Sequence, residues 1–233
     1  MLLKDTMYKK FFKRLIDIFV SAAVLVLLLP LMILLIITGA IFCNGDPFFT
    51  QFRPGKNEKI FRLVKFRTMT NKKGPDGELL PDAQRLTGYG KFLRSTSLDE
   101  LPELFNILKG DMSLVGPRPL LVRDMVFMTD DERRRHTVRQ GLTGLAQVNG
   151  RNNITWKQKL EYDLRYIDNG ITFAGDIKIV LQTVGKVLKR SDIVREGTAS
   201  DMDYGDWLLL EGKIDRELYD RKQEEARVLL RGQ

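Results

Sequence analysis

The densest group of reactive side chains lies in one stretch, Arg94-Ser-Thr-Ser-Leu-Asp99-Glu100-Leu-Pro102-Glu-Leu-Phe. Adjacent carboxylates are common on solvated helices, and Ser97 with Glu100 has the spacing of a capping box. A helix begun at Ser97 would put Pro102 at its fifth position, where a backbone N–H is already needed. Proline prefers the first helical position, so a start at Pro102 is expected, leaving Asp99 and Glu100 just before the positive end. Carboxylates placed there should have depressed pKa values and stay ionised, and phosphates are drawn to the same spot. An ionised carboxylate can attack phosphorus to give an acyl phosphate, with a divalent cation screening the anions.

Cations supply the rest of the chemistry. Arg118 stands between two prolines in Gly116-Pro-Arg-Pro, a stiff turn suited to bidentate phosphate binding; the plainer reading is a solvated arginine. Lys65, Arg67, Arg94 and Arg151 are further candidates for lining an anionic pocket, although most arginines sit on surfaces. His136, the single histidine, follows Arg133 to Arg135 and is expected to be solvated on a helix rather than catalytic. One histidine and one cysteine, Cys43, are too few for an ordinary zinc site, so a metal here would take oxygen ligands. The chain has no P-loop, Rossmann or nucleophile-elbow signature.

The elements that must position these residues begin with an apolar run. Ile18 to Cys43 carries no charge over 26 residues, long enough as one helix to cross a bilayer. Pro30 interrupts it, and each half then reaches only about 18 Å, roughly one leaflet. Basic residues flank the run on both sides, Lys4, Lys9, Lys10, Lys13 and Arg14 before it and Arg53, Lys56, Lys59, Arg62, Lys65 and Arg67 after it. Basic flanks favour the cytoplasmic side. A re-entrant hairpin satisfies both flanks and a spanning helix only one; the residues leave both open.

Hydrophobic residues at 43% and charged residues at 29% exclude wholesale disorder and collagen. The net charge of +8 is uneven: from Glu196 onward ten acidic and six basic residues leave −4, so residues 1–195 carry +12. A basic body points to membrane headgroups, phosphorylated substrates or nucleic acid. Phe61 to Met69 reads as a strand and Asn71 to Asp82 as a loop, with Leu101 to Leu108, Leu120 to Met128 and Asp130 to Val138 helical. Thr129 and Glu132 form a capping box for the last of these. A helix carrying Trp156, Leu160, Leu164 and Ile167 on one face follows, then an amphipathic helix, Phe173 to Arg190. Its apolar face (Ile177, Val180, Leu181, Val184, Val187, Leu188) covers a core or, given its lysines, docks on a membrane surface. The acidic tail reads as an appended, peripheral helix over Lys213 to Leu230.

With these residues assembled, the chain resembles the bacterial sugar transferases, the small monotopic phosphoglycosyl transferases. The resemblance runs from about Lys13 to Ile193, through Arg53-Pro-Gly, Lys65-Phe-Arg-Thr-Met, Leu93-Arg-Ser-Thr-Ser-Leu-Asp-Glu-Leu-Pro, Leu108-Lys-Gly-Asp-Met-Ser-Leu-Val-Gly-Pro-Arg-Pro-Leu and Gly141-Leu-Thr-Gly-Leu-Ala-Gln-Val-Asn-Gly-Arg. It implies transfer of a phosphosugar from a UDP-sugar to undecaprenyl phosphate, with release of UMP, as the start of glycan assembly. It also implies Asp99 as nucleophile and metal ligand with Glu100 beside it, Mg²⁺ as cofactor, and Lys65, Arg94, Arg118, Arg151 and Asp163 around the substrate phosphates. The implied fold is α+β and mostly helical with little β structure. It comprises a re-entrant membrane helix broken at Pro30 (1–45), a compact cytoplasmic catalytic domain with interfacial amphipathic helices (46–195) and an acidic extension (196–233). The implied setting is the cytoplasmic face of the bacterial inner membrane, with no nucleic acid and with copies of itself or downstream glycosyltransferases as partners. Two positions depart from the family pattern: Leu29 stands where serine often precedes the proline, and Gln140 where proline precedes Gly-Leu-Thr-Gly, which should loosen that loop. A competing class is a membrane-tethered module binding anionic lipid or nucleic acid, which would give Asp99 no special role.

Overall fold

The computed structural model describes residues 7–150, 154–189 and 202–233. The chain opens with a π-helical turn, Tyr8–Phe12, running into α1 (Lys13–Leu27), and α2 (Leu29–Phe42) follows. Leu28 between them leaves the helical region (φ −94°, ψ 7°), and the two segments are bent by 66°. The cause is Pro30, which has no N–H to donate and whose ring crowds the carbonyl four residues back. The helix therefore restarts at Leu29, and Pro30 falls in the first turn of α2, where a missing donor is tolerated. Among the described residues no single helix is long and apolar enough to cross a membrane; this bent pair passes only as a unit. One stripe of the pair (Leu25, Met32, Leu35) packs with Phe61, Phe66, Leu93, Leu104 and Ile107, while Phe19, Val26, Leu27, Leu34, Ile37 and Ile41 face outward.

An antiparallel hairpin of β1 (Phe48–Pro54) and β2 (Ile60–Phe66) comes next, in register from Phe48↔Phe66 to Pro54↔Ile60. The short α3 (Asp82–Arg85) leads to α4 (Gly88–Thr96), and α5 (Glu103–Lys109) to β3 (Met112–Val115). Two single turns, α6 (Val122–Met125) and α7 (Asp130–Arg133), precede β4 (Gln140–Thr143), which pairs parallel with β3. Then come α8 (Leu145–Val148), α9 (Trp156–Asp168), α10 (Phe173–Lys189), α11 (Tyr204–Leu210) and α12 (Arg216–Arg231). The architecture is thus mostly helical with two small two-stranded sheets.

The stretches Leu120 to Met128 and Asp130 to Val138 form less helix than their patterns predict. Thr129 caps α7 as expected, accepting from the Glu132 N–H while Glu132 accepts from the Thr129 N–H. A 3₁₀ turn, Arg134–Thr137, then ends the helix, because Val138 must be extended to enter β4. Inside that turn His136 is 1% exposed, not solvated, and burial beside Arg135 pushes its pKa down to about 3. Gln140 does not loosen its loop either. It pairs opposite Met112, and its buried amide donates to the Arg135 and Val138 carbonyls at 3.2 Å each.

The acidic tail is not peripheral over its described part. Tyr204 and Leu208 of α11 pack with Met128, Trp156 and Leu160, and Ala226 of α12 packs with Val122, Met125 and Val126 of α6. Buried Asp124 ties the two together, accepting from the Leu121 and Tyr204 N–H groups at 2.9 Å each.

Candidate active site

Asp99 and Glu100 lie in a 3₁₀ turn, Leu98–Glu100, between α4 and α5. Ser97 adopts the left-handed conformation (φ 56°) and makes no side-chain cap for that turn, so the capping-box reading of Ser97 and Glu100 falls away. The main helix begins just after Pro102, as its preference for helix starts predicts, and the carboxylates sit ahead of it.

Lys65, at the end of β2, and Arg118, from the Pro-Arg-Pro turn, converge on the pair. Lys65 Nζ lies 3.0 Å from Glu100 Oε1 and 3.0 Å from Glu103 Oε1; Arg118 Nη2 donates to the same Glu100 oxygen at 2.7 Å. Burial pulls the Lys65 ammonium down, but Glu100 and Glu103 outweigh it and hold its pKa above the ordinary value. Glu100 likewise raises that of Arg118, so both cations are locked in their charged forms. Arg94 reaches the site from α4, donating from Nε to Thr68 Oγ1 at 3.1 Å, with Asp99 as its strongest electrostatic partner. This depends on Gly90: a Cβ there would lie 1.9 Å from the Thr68 carbonyl oxygen, so only glycine lets α4 approach β2's exit.

Asp99 differs from its neighbours. Among the described residues its carboxylate makes no hydrogen bond or ion pair, although Lys65, Arg94 and Arg118 all act on it through space. Its pKa is raised, first by burial and next by Glu100, against the expectation of a depressed value. The positive end of a short helix is too weak to offset desolvation beside a second carboxylate.

Two residues the sequence did not single out belong to this cluster. Glu103 is 2% exposed and its pKa is raised by burial. Its clue was the i, i+4 spacing to Ile107, which turns it towards the core. Arg53, from β1, is half-buried near Arg118, and desolvation lowers its pKa to about 10. It donates from Nη1 to the Pro119 carbonyl at 3.4 Å, bracing the Pro-Arg-Pro turn, while its Nε has no partner.

Asp163 lies apart from the carboxylate pair. It is 3% exposed and accepts from Arg135 at 2.8 and 3.0 Å, and Arg135 donates to the Arg118 carbonyl at 2.5 Å. Asp163 therefore reaches the site only through Arg135, which fixes the backbone of Arg118. Arg67 is also elsewhere, held by Asp46 and the Phe48 carbonyl. Arg151 lies outside the described residues.

The C-terminal end of α5 is fastened as firmly as its start. Arg14 of α1 donates to the Ile107 and Leu108 carbonyls at 2.5 and 2.8 Å, and Arg139 to the Gly110 carbonyl at 2.9 Å. Ile107 and Leu108 lie in the last turn of α5 and Gly110 is its C-cap, whose own N–H also donates to the Ile107 carbonyl at 3.0 Å.

Among the described residues no three His, Cys, Asp or Glu side chains group as a metal cage. Mg²⁺ needs none: it commonly takes one or two carboxylates together with substrate phosphates. An unpartnered Asp99 carboxylate amid oxygen-only donors fits that role.

Comparison with known proteins matches this chain to a family. The model of the bacterial sugar transferases matches residues 8–190, which include every element around the carboxylates. The chain is 49% identical over 178 residues to the "uncharacterized sugar transferase EpsL" of Bacillus subtilis, covering 76% of this chain and 87% of that one. It is 40% identical over 185 residues to the UDP-glucose:undecaprenyl-phosphate glucose-1-phosphate transferase of Klebsiella pneumoniae, covering 75% of this chain and 40% of that longer protein. It is 39% identical over 199 residues to the undecaprenyl-phosphate galactose phosphotransferase of Salmonella typhimurium, covering 78% of this chain and 41% of the relative. The match spans Lys65, the Asp-Glu turn and the Pro-Arg-Pro turn, so the chain belongs to the bacterial sugar transferase family and is a phosphoglycosyl transferase.

Proposed function

We propose that this enzyme transfers a sugar-1-phosphate from a UDP-sugar to undecaprenyl phosphate through a covalent intermediate on Asp99. The observation that carries the reading is the Asp99 carboxylate, which among the described residues has no hydrogen-bond or ion-pair partner while Glu100 beside it is held by Lys65 and Arg118. The names of the Klebsiella and Salmonella relatives supply the substrate class. In the first step an Asp99 carboxylate oxygen attacks the sugar-bearing phosphorus. The bond from that phosphorus to the bridging oxygen breaks, and the electron pair leaves with UMP. In the second step an oxygen of the polyprenyl phosphate attacks the same phosphorus, the acyl–phosphate bond breaks, and Asp99 returns as a carboxylate.

Lys65 and Arg118, fixed by Glu100 and Glu103, hold positive charge against the donor phosphates without needing to reorganise. Arg94 acts on Asp99 through space and favours its ionised form. Asp99, with the donor's own phosphates, would hold Mg²⁺, whose part is to screen charge repulsion between carboxylate and diphosphate. Asp163 acts as a positioning residue through Arg135 rather than as a phosphate ligand.

The setting proposed is the cytoplasmic membrane face. The bend at Leu28–Pro30 and the outward apolar residues of α1 and α2 support a hairpin that dips into one leaflet and returns. The exposed stripe Phe173, Ile177, Leu181 and Val184 on α10 supports its lying on the same surface. Residues 46–195 then form the catalytic body, with 196–233 as an extension folded back on it.

The test is direct. With radiolabelled UDP-sugar, Mg²⁺ and undecaprenyl phosphate, the wild type should release UMP and carry a phosphosugar adduct on the peptide containing Asp99. Asp99→Asn should form no adduct and lose several orders of magnitude in turnover while still folded. Retention of more than a few per cent of activity by that variant would remove Asp99 as nucleophile, and full activity in excess EDTA would remove the metal.

A further inference from the structure

Beside the carboxylates opens a groove whose apolar walls the donor chemistry leaves unused. It encloses about 230 Å³ and is lined by Glu100 and Arg118 together with Leu142 of β4, Val148 of α8 and Val180 and Val184 of α10. Its lining residues include no aromatic side chain, so a nucleobase would find nothing to stack on, whereas branched aliphatic walls match an isoprenoid. Gln147 also lines it, is 8% exposed, and among the described residues has neither amide atom hydrogen-bonded. A buried amide in that condition is costly unless a ligand atom meets it. Val184 belongs both to the groove and to the outward stripe of α10, which recurs at helical spacing through Phe173, Ile177, Leu181 and Val184. The apolar lining is thus continuous from the outer face of α10 to Arg118.

We infer that the groove seats the phosphate-proximal isoprene units of the polyprenyl phosphate acceptor. The acceptor phosphate meets the Arg118 guanidinium and the Gln147 amide N–H, and the remaining chain leaves over Val184 along α10 into the bilayer. The charge complementarity is local: a phosphate at the cation, hydrocarbon along the valines. This inference rests on the phosphosugar-transfer reading above and adds to it where the acceptor lies. It also accounts for α10 carrying apolar residues on both its inner and its outer side.

The experiment separates the two half-reactions in the purified full-length enzyme. Exchange of labelled UMP into UDP-sugar, run without acceptor, reads the first step; turnover against undecaprenyl phosphate reads the second. Val184→Glu should raise the acceptor KM about tenfold or more, through the loss of a few methylene contacts to the isoprene chain and the placing of a charge against hydrocarbon. UMP exchange should stay within about twofold, and Val184→Ile should behave as wild type. The preference for undecaprenyl phosphate over a short prenyl phosphate should shrink in Val184→Glu. An unchanged acceptor KM would overturn the assignment, as would loss of UMP exchange in a variant of normal thermal stability, which would put the donor in the groove. A wild type without UMP exchange would instead defeat the two-step reading. The groove would still be judged by a benzophenone-bearing prenyl phosphate, expected to label peptides of α8 and α10 in competition with undecaprenyl phosphate; labelling confined to other segments would refute it.

Discussion

A single oxygen of Glu100 is shared by Lys65 at 3.0 Å and Arg118 at 2.7 Å, which leaves Asp99 as the carboxylate open to a substrate. Because burial and Glu100 raise the Asp99 pKa, its reactive ionised form is lost at a higher pH than for an ordinary aspartate. On the proposed mechanism the acid limb of kcat/KM should therefore stand above the usual carboxylate range and the rate should rise with pH through it; a limb near pH 4 or below in a pH–rate profile would contradict that upward shift. Asp163 makes a separate case. Removing its charge strands Arg135, which has no exposed surface, so Asp163→Asn should cost about 3–5 kcal/mol of stability. A variant with wild-type stability but a raised donor KM would mean that Asp163 touches substrate after all. The residue types were legible beforehand at Asp99, Glu100, Lys65 and Arg118, where adjacency and proline placement carry the signal. The direction of the Asp99 shift was not, since it depends on desolvation by segments far away in sequence. Glu103 was missed for the same reason: its burial is set by β2, not by its neighbours.

At the scale of elements, the interrupted apolar run was the most readable feature, because a proline inside a helix has one mechanical consequence. Pro30→Ala restores the missing donor and relieves the crowded carbonyl, so α1 and α2 should merge into a straighter helix. On the hairpin reading, both flanks of the wild type are protected from an impermeant thiol reagent in intact cells; with Cys43→Ser and a new cysteine near Lys4, labelling should increase in Pro30→Ala. Labelling of that position in the otherwise wild-type chain would establish a spanning helix. The single turns α6 and α7 were less legible. Their periodicity is helical, but the chain must reach β4 in extended form within a few residues, and that demand comes from the β3 partner. A parallel two-stranded pairing leaves little trace in local pattern. Gly116 and Gly141 are its clearest sign: a Cβ on Gly141 would lie 2.1 Å from the Gly116 nitrogen, so the strands meet there only without side chains.

Over the whole molecule, charge divides the chain into a basic body and an acidic end, yet α11 and α12 fold back and cover α6 and α9. Composition gave the division but not the docking, which turns on single small or aromatic residues such as Ala226 and Tyr204. Deleting residues 216–233 uncovers Val122, Met125 and Val126, and the melting temperature should fall by several degrees. An unaltered melting temperature would show α12 to be dispensable cover. The contact between Arg14 and the end of α5 has a different consequence. Seven residues make α5 a strut of about 10 Å, with the reactive turn at one end and the first turn of α1 at the other. On the hairpin reading, the height of Asp99 above the lipid is then gauged from the headgroup plane where α1 would enter, not from the apex at Pro30. On that reading, thickening or thinning the hydrocarbon beneath the apex should leave the distance from Asp99 to the interface as it was.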